Sequence, residues 1–436
     1  MKLAGWGRYP RVECPQVRMR EPTDSAIAVA AQRSLIARGN GRSYGDAALS
    51  DGCVLSTLRA DHILAFTPET GLIVCETGLL LADLLAFAVP RGFFPPVTPG
   101  TKFVTIGGMI AADVHGKNHH ASGSFGNHVE WIELLLADGQ VVTCSQTEQA
   151  ELFAATCGGM GLTGVILSAA IRLMPIGTAH IRQETLRATA LPETMALCEA
   201  SVDATYAVAW IDCLARGASL GRSLIYRGEH AQRVEMPGGM LDVPRRTVKR
   251  VPVDLPGCML NRWSVRAFNE LYYRRARPGT ALIDYDRFFY PLDSILDWNR
   301  IYGRRGFVQY QCVIPKAASA SALEALLKRI SSAGTGSFLA VLKLLGPEGF
   351  GLMSFPLEGY TLALDFPVSR ASLALLDELD AIVADHAGRI YLAKDACTSS
   401  ALIRKGYPRL PQFLAVRQRV DPSGKFASLQ SRRLEI

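Results

Sequence analysis

Residues 37–46 read ARGNGRSYGD, and residues 107–126 read GGMIAADVHGKNHHASGSFG. Glycine accepts positive φ and carries no Cβ, so runs of this kind let successive backbone N–H groups converge on an anion. One such loop is common. Two of them lie about sixty residues apart, with Arg42, His115, Lys117, His119 and His120 beside them. The pair implies a long phosphorylated group threaded through one cleft.

Working outward, residues 27–172 read as short strands broken by glycine turns. Strands are expected at 34–37, 53–55, 72–76, 131–136 and 140–144, with Ala137-Asp138-Gly139 as a hairpin turn. Helices are expected at 80–89 and at 149–156, the second stopping at Gly158-Gly159, before a closing strand at 165–173. Residues 178–291 carry no clear periodicity, and their elements are left unordered.

Beyond them the pattern sharpens. Strands at 307–314, 337–345, 360–367 and 389–393 alternate with helices at 319–333 and 372–387. Leu323, Leu326, Leu327 and Ile330 form one apolar stripe, and Leu375, Leu376, Leu379, Ile382 and Val383 form another, ended by Gly388. The order βαββαβ implies a ferredoxin-like layer, with helices on one face of an antiparallel sheet and the other face free for a ligand. Alternation on the first strand separates Phe307, Gln309, Gln311 and Val313 from Val308, Tyr310, Cys312 and Ile314. Two amides on one face of a buried strand require partners, either a polar ligand or each other's neighbours, because an unpaired buried amide costs about 1–3 kcal/mol. Lys343 interrupts an apolar strand, so it points into a polar cavity or snorkels to the sheet edge. Lys394 follows the last strand, where it is placed for chemistry or for a surface pair with Asp395.

Composition bounds the rest. The 436 residues are 49% apolar, enough for two or three domains with a large core. No uninterrupted apolar run of membrane-spanning length occurs, and the start shows no signal-peptide pattern, which points to a cytoplasmic protein with reduced cysteines. Ten cysteines are scattered without a Cys-x-x-Cys pair, arguing against zinc or dithiol chemistry. Net charge is +7, and residues 241–310 hold 13 Lys/Arg against 7 Asp/Glu, in clusters at Arg245/Arg246/Lys249/Arg250, Arg274/Arg275/Arg277 and Arg304/Arg305. These form either a solvated face or a patch for an anionic membrane surface or phosphorylated lipid. No nucleic-acid motif accompanies them, and no nucleic-acid partner is expected.

Gly159-Met160-Gly161-Leu162-Thr163-Gly164 matches G-x-G-x-x-G, but a helix precedes it and a strand follows. A dinucleotide fold needs the reverse order, so nicotinamide binding is rejected. No Walker sequence and no metal-ligand spacing is present, and no metal site is expected; adjacent His119 and His120 point in different directions.

The two opening motifs resemble the vanillyl-alcohol-oxidase, or PCMH, type of FAD-binding domain. Within it the chain is similar to the decaprenylphosphoryl-β-D-ribose 2′-oxidase family along nearly its whole length, in stretches such as LADG, AELF, GGMGLTG, FYPLD, GFVQYQ, LDFP, YLAKD and RRLE. The resemblance implies an α+β fold: a two-part PCMH-type FAD-binding domain with an inserted substrate domain built on the ferredoxin-like antiparallel sheet. The expected boundaries are 1–177 for the flavin domain, 178–388 for the substrate domain, and 389–436 for a C-terminal segment returning to the flavin domain.

The resemblance implies non-covalent FAD held by Arg38, Gly39, Asn40, Gly41, Arg42, Ser43, Tyr44, Gly45, Gly100, Thr105, Ile106, Gly107, Gly108, Ala112, His115, Ile166 and Tyr391. The implied substrate site holds Tyr44, Lys117, Tyr290, Gln309, Gln311 and Lys343, with Lys394 first and His115 second as the catalytic group. A desolvated lysine or a histidine can take a hydroxyl proton near neutral pH as hydride leaves carbon. The implied activity is an FAD-dependent oxidoreductase acting on CH–OH, converting the 2′-hydroxyl of a polyprenyl-phosphoryl β-D-ribose to a ketone. This is the first half of an epimerisation toward the arabinose donor of cell-envelope arabinan. Its partners are the lipid-linked sugar phosphate, a short-chain NAD(P)-dependent reductase and the inner membrane surface. The alternative is an oxidase of a soluble sugar, alditol or aldonolactone, of the D-arabinono-1,4-lactone oxidase kind. Two positions depart from the family: Ala363 replaces a cysteine bonded covalently by some inhibitors, and Thr361 replaces an asparagine.

Overall fold

The computed structural model describes residues 2–436 except Met236, Pro237, Gly239, Pro244, Arg245 and Cys258. Arg245, one member of a basic cluster noted above, therefore lies outside the described residues.

The amino-terminal part builds a three-stranded and a five-stranded sheet beside two short two-stranded pairs. Strands β1 (Gln16–Arg18), β2 (Leu35–Arg38) and β3 (Cys53–Ser56) pair in parallel, in the order β1-β3-β2. Strands β4 (Ile63–Thr67), β5 (Leu72–Glu76), β6 (Val129–Leu135), β7 (Val141–Cys144) and β8 (Val165–Arg172) form an antiparallel sheet in the order β7-β6-β8-β5-β4. The expected hairpin turn at Ala137-Asp138-Gly139 joins β6 to β7. Helices α1 (Leu81–Ala88) and α2 (Ile106–Ala111) bury Leu84, Leu85, Met109 and Ile110 in the same core. Both glycine loops leave this core at strand or helix ends: residues 39–48 follow β2, and residues 112–126 follow α2.

The rest of the chain forms an eight-stranded antiparallel sheet. Its first half is β9 (His180–Ala188), α3 (Leu191–Glu199), β10 (Tyr206–Ile211), β11 (Ser223–His230), α4 (Arg262–Arg275) and β12 (Gly279–Asp284). Its second half is β13 (Phe307–Pro315), α5 (Ser319–Ala333), β14 (Ala340–Leu345), β15 (Gly359–Pro367), α6 (Arg370–Asp385) and β16 (Arg389–Ile390). The order across the sheet is β12-β9-β11-β10-β14-β15-β13-β16. Each half is thus a βαββαβ unit in the order fourth-first-third-second. The two join edge to edge through their second strands, Ala209 opposite Leu342 and Trp210 opposite Val341. The sequence reading reached only the second unit; the segment it left unordered holds the first.

Helices α3, α5 and α6 cover one face. Their Leu191, Cys198, Leu323, Leu326, Leu327, Ile330, Leu375, Leu376, Leu379 and Val383 pack with Val308, Tyr310, Cys312, Ile314, Leu342, Leu362 and Leu364. The opposite pleat face turns to the amino-terminal sheets. The strand expected over 389–393 is shorter than read, ending at Ile390. Tyr391 N–H donates to the Gln311 carbonyl at 2.9 Å, and Lys394 N–H to the Tyr391 carbonyl at 2.9 Å, so the chain turns and delivers Lys394 back toward the loops. The carboxyl terminus then returns to the first sheet. Leu35 of β2 donates to Lys425 O at 2.9 Å and accepts from Ala427 N–H at 3.0 Å. Arg433 of helix α7 (Leu429–Leu434) bridges Asp46 at 2.9 Å and Asp395 at 2.6 Å.

Candidate active site

A cleft of about 450 Å³ runs between the glycine loops and the uncovered face of the eight-stranded sheet. That volume suits a small-molecule site. Arg38, Gly39, Asn40, Gly41, Arg42, Ser43, Tyr44, Gly100, Thr105, Gly107, Gly108, Ala112, His115, Ile166 and Tyr391 line it, as do Lys117, Gln309, Gln311, Lys343 and Lys394. Three other expected site residues do not. Gly45 packs where a Cβ would sit 1.9 Å from the Asp395 carbonyl oxygen. Ile106 points into the core. Tyr290 is fully buried, its hydroxyl bonded to Thr98.

The first loop is held from behind and open in front. Arg38 donates to Ala4 O at 2.7 Å and Ala48 O at 3.2 Å, Asn40 Nδ2 to Phe103 O at 2.7 Å, and Tyr44 N–H to Ala393 O at 2.9 Å. Among the described residues, no acceptor meets the N–H groups of Gly39, Asn40, Gly41, Arg42 and Ser43. Gly41 sits at φ 63°, the left-handed turn that lets these donors converge. The Arg42 guanidinium lies 4.0 Å from the Trp6 ring centroid, and its buried Nε has no partner among the described residues. Buried donors without acceptors are costly, so this end fits a pyrophosphate. The next stretch, lined by Val104, Ala111, Ala112, Met160, Ile166 and Tyr391, fits a flat apolar ring. These residues match the demands of FAD.

The other end is crowded with cations. Lys394 Nζ stands 3.8 Å from the Tyr44 ring centroid, and Lys117 Nζ stands 4.1 Å from that of Phe288 while donating to the Phe288 carbonyl. Burial, then the like charge of Lys343, lowers Lys117 to about 7. Burial lowers Lys343 to about 8. Burial also lowers Lys394 to about 7, with the Asp365 carboxylate opposing and Lys343 reinforcing the shift. Ammonium groups lose hydration when buried, and each further one repels the others. His115 is buried, held well below its ordinary range first by burial and then by Lys343, and is therefore neutral. Gln311 Nε2 faces His115 Nε2 at 3.2 Å and donates to Thr361 Oγ1 at 3.1 Å. With the amide donating, the imidazole proton resides on Nδ1, which has no partner among the described residues.

The alternatives left open by the sequence resolve here. Lys343 opens into the cleft rather than snorkelling. Gln309 and Gln311 have protein partners, Asp365 at 2.6 Å and Thr361, and also line the cleft. Lys394 makes no pair with Asp395, whose carboxylate is taken by Arg433 and Gln430. Sequence reasoning missed Asp365, fully buried opposite Gln309 and raised to about 7, chiefly by burial. An acid amid apolar residues in a strand was the available signal. It also missed Val208, Trp210, Tyr226 and Tyr272, which line the cleft from the first half of the sheet.

Comparison with known proteins agrees with this geometry. Residues 24–145 match the FAD binding domain family, and residues 364–434 match the D-arabinono-1,4-lactone oxidase family. The whole chain is 37% identical to decaprenylphosphoryl-beta-D-ribose oxidase of Mycolicibacterium smegmatis, covering 97% of that protein. An uncharacterized protein of Streptomyces coelicolor is 36% identical across 82% of this chain and all of its own length. L-gulonolactone oxidase of Bos taurus is 28% identical over 43% of each chain.

Proposed function

The chain belongs to the decaprenylphosphoryl-β-D-ribose oxidase family and is an FAD-dependent oxidoreductase; from that premise we propose that it oxidises the 2′-hydroxyl of a polyprenyl-phosphoryl β-D-ribose to the ketone. The observation that carries the reading is the junction of the two cleft ends. A phosphate-binding loop of unpaired N–H donors ends at Tyr44, and the Lys394 amine, lowered to about 7, sits against the Tyr44 ring.

Arg42 and the N–H groups of residues 39–43 would hold the cofactor pyrophosphate, and Ala112, Ile166 and Tyr391 its ring. FAD bound there supplies the hydride acceptor. Lys394 in its neutral form takes the hydroxyl proton, which a surface lysine near 10.5 could not do at pH 7. Neutral His115, oriented by Gln311, contributes its imidazole edge without adding charge. Lys117 and Lys343 attract the substrate phosphate, and Tyr44, Gln309 and Gln311 position the sugar. The assigned regions are 1–177 for the flavin, 178–388 for the substrate and 389–436 for the returning segment. A short-chain NAD(P)-dependent reductase would consume the ketone and complete the epimerisation to the arabinose donor of cell-envelope arabinan. Among the described residues no helix is long and apolar enough to cross a membrane, and the reading places the enzyme peripherally at the inner surface.

A second reading, oxidation of a soluble alditol or aldonolactone, is supported by the D-arabinono-1,4-lactone oxidase match at residues 364–434. Anaerobic mixing separates the two. Farnesyl-phosphoryl ribose should bleach the flavin absorbance, whereas ribitol and arabinono-lactone should not. Bleaching by the soluble compounds alone would reverse the assignment. The flavin should be released on denaturation if it is held non-covalently.

A further inference from the structure

Helix α4 departs from its counterparts in the same sheet. It is well started, with Asn261 Oδ1 accepting from Trp263 N–H at 2.8 Å and Ser264 N–H at 3.2 Å. Yet it buries only Val265 and Asn269. A helix with ordinary packing hides its apolar stripe. Here Trp263 is 64% exposed, Leu271 50% and Phe268 44%, with Met259 just before the helix at 53%. At 100° per residue, Trp263, Ala267, Leu271 and Phe268 share one broad outward arc. Arg274 and Arg275 lie within it, Arg266 lies just beyond its edge and Arg277 follows, whereas Arg262 sits on the far side toward Gly334. The helix holds one acid, Glu270, engaged by Arg222 and Arg274.

This arc is continuous with the cleft. Tyr272 packs against Trp210 at 4.8 Å between centroids with the ring planes tilted by 60°, its hydroxyl meets Tyr226 at 2.8 Å, and all three side chains line the cleft. Phe268 packs on Phe338 at 5.7 Å, beside the cleft residue Leu339.

We propose that helix α4 docks the protein on an anionic lipid bilayer, laying Trp263, Phe268 and Leu271 into the headgroup boundary with its arginines on the lipid phosphates, so that a lipid-linked substrate enters the cleft past Tyr272. The inference rests on the lipid-linked substrate named above. Tryptophan, phenylalanine and leucine on one face interspersed with arginines is a composition that suits an interfacial helix. Arginine stems reach sideways from an apolar face to phosphate level, so the mixed arc suits a bilayer. Charge complementarity favours a bilayer over a second copy, because pairing two such arcs would bring Arg274 and Arg275 of both copies, four arginines, together.

Co-sedimentation of the FAD-loaded protein with vesicles of phosphatidylcholine, with and without phosphatidylglycerol, tests this. The wild type should bind the phosphatidylglycerol vesicles preferentially. Trp263→Ser/Leu271→Ser and, separately, Arg274→Gln/Arg275→Gln should each lower binding at least about tenfold. Flavin bleaching by water-soluble farnesyl-phosphoryl ribose should stay unchanged in both variants, whereas bleaching by a long-chain polyprenyl-phosphoryl ribose embedded in the vesicles should slow. Absence of wild-type binding, variants that bind like wild type, or a helix-dependent dimer in sedimentation without vesicle binding would each overturn the proposal. Failure of the substrate reading shows separately, as no bleaching by either lipid-linked sugar while vesicle binding persists. Retained flavin absorbance confirms that each variant is folded, and the arginine pair, being fully on the surface, keeps the test decisive should the first variant misfold.

Discussion

The two halves of the eight-stranded sheet share one topology and differ in what they present to the cleft. The second half shows Gln309, Gln311, Lys343, Thr361 and Asp365 on its open pleat face; the first half shows Tyr206, Val208, Trp210 and Tyr226. The helices repeat the contrast. Helices α5 and α6 bury full leucine stripes, whereas α4 leaves Trp263 and Leu271 in solvent. A duplicated scaffold therefore separates two tasks that a single unit would combine. Buried amines with lowered pKa need a dry, hydrogen-bonded wall, and a prenyl chain needs an apolar, open one.

The largest test of this division lies at the polar end. Lys394→Ala should still bind FAD but lose substrate bleaching by about 10²–10⁴-fold, the range for a proton-transfer residue; unchanged single-turnover bleaching would remove this lysine from the mechanism. At the apolar end, Trp210→Ala should raise KM for a prenylated substrate about tenfold with kcat nearly constant, since it removes contact common to ground and transition states. A fall in kcat with KM unmoved would show that the first half takes part in chemistry.

Smaller effects probe the coupling among the amines. The acid limb of kcat/KM should lie near pH 7, where Lys394 loses its proton. Lys343 pushes Lys394 down and Asp365 pulls it up. Lys343→Met should accordingly move that limb to higher pH, and Asp365→Asn to lower pH. Movement of both in one direction would refute the assignment. Stability of the flavin-free protein gives the smallest signal. Lys343 titrates at about 8 folded against 10.5 unfolded. Its burial cost is full below pH 8 and is relieved as pH rises toward 10.5, because the unfolded chain then holds the extra proton. Lys343→Met should stabilise by about 2 kcal/mol at pH 6 and by less at pH 10, measurable by urea unfolding.

Legibility in the sequence followed the same division. Helix α5 was read at its observed bounds, and the second unit's strands nearly so, because Leu323, Leu326, Leu327 and Ile330 keep strict helical spacing against alternating strands. The first unit was not ordered. Strand β9, HIRQETLRA, mixes arginine, glutamine and glutamate with apolar residues, and α4 carries apolar residues on an exposed arc as well as on its packed one. Periodicity detects a single buried face and fails where two faces are apolar or a strand is half exposed. Lys343 was conspicuous because it broke an apolar strand; Asp365 broke one equally and passed unread.

The sequence by itself determined the local pieces: the glycine loops that can adopt a donor-rich turn, the stripes of α5 and α6, and the alternation that sends Gln309 and Gln311 away from the helices. Local backbone preference and apolar spacing act over a few residues, so they are written in order along the chain. Only the tertiary structure decided that Lys117, Lys343 and Lys394 share one cleft, that Asp365 lies within their field, and that a second βαββαβ unit continues the sheet. Desolvation and charge repulsion depend on distances between residues far apart in sequence, and those distances exist only once the core has closed.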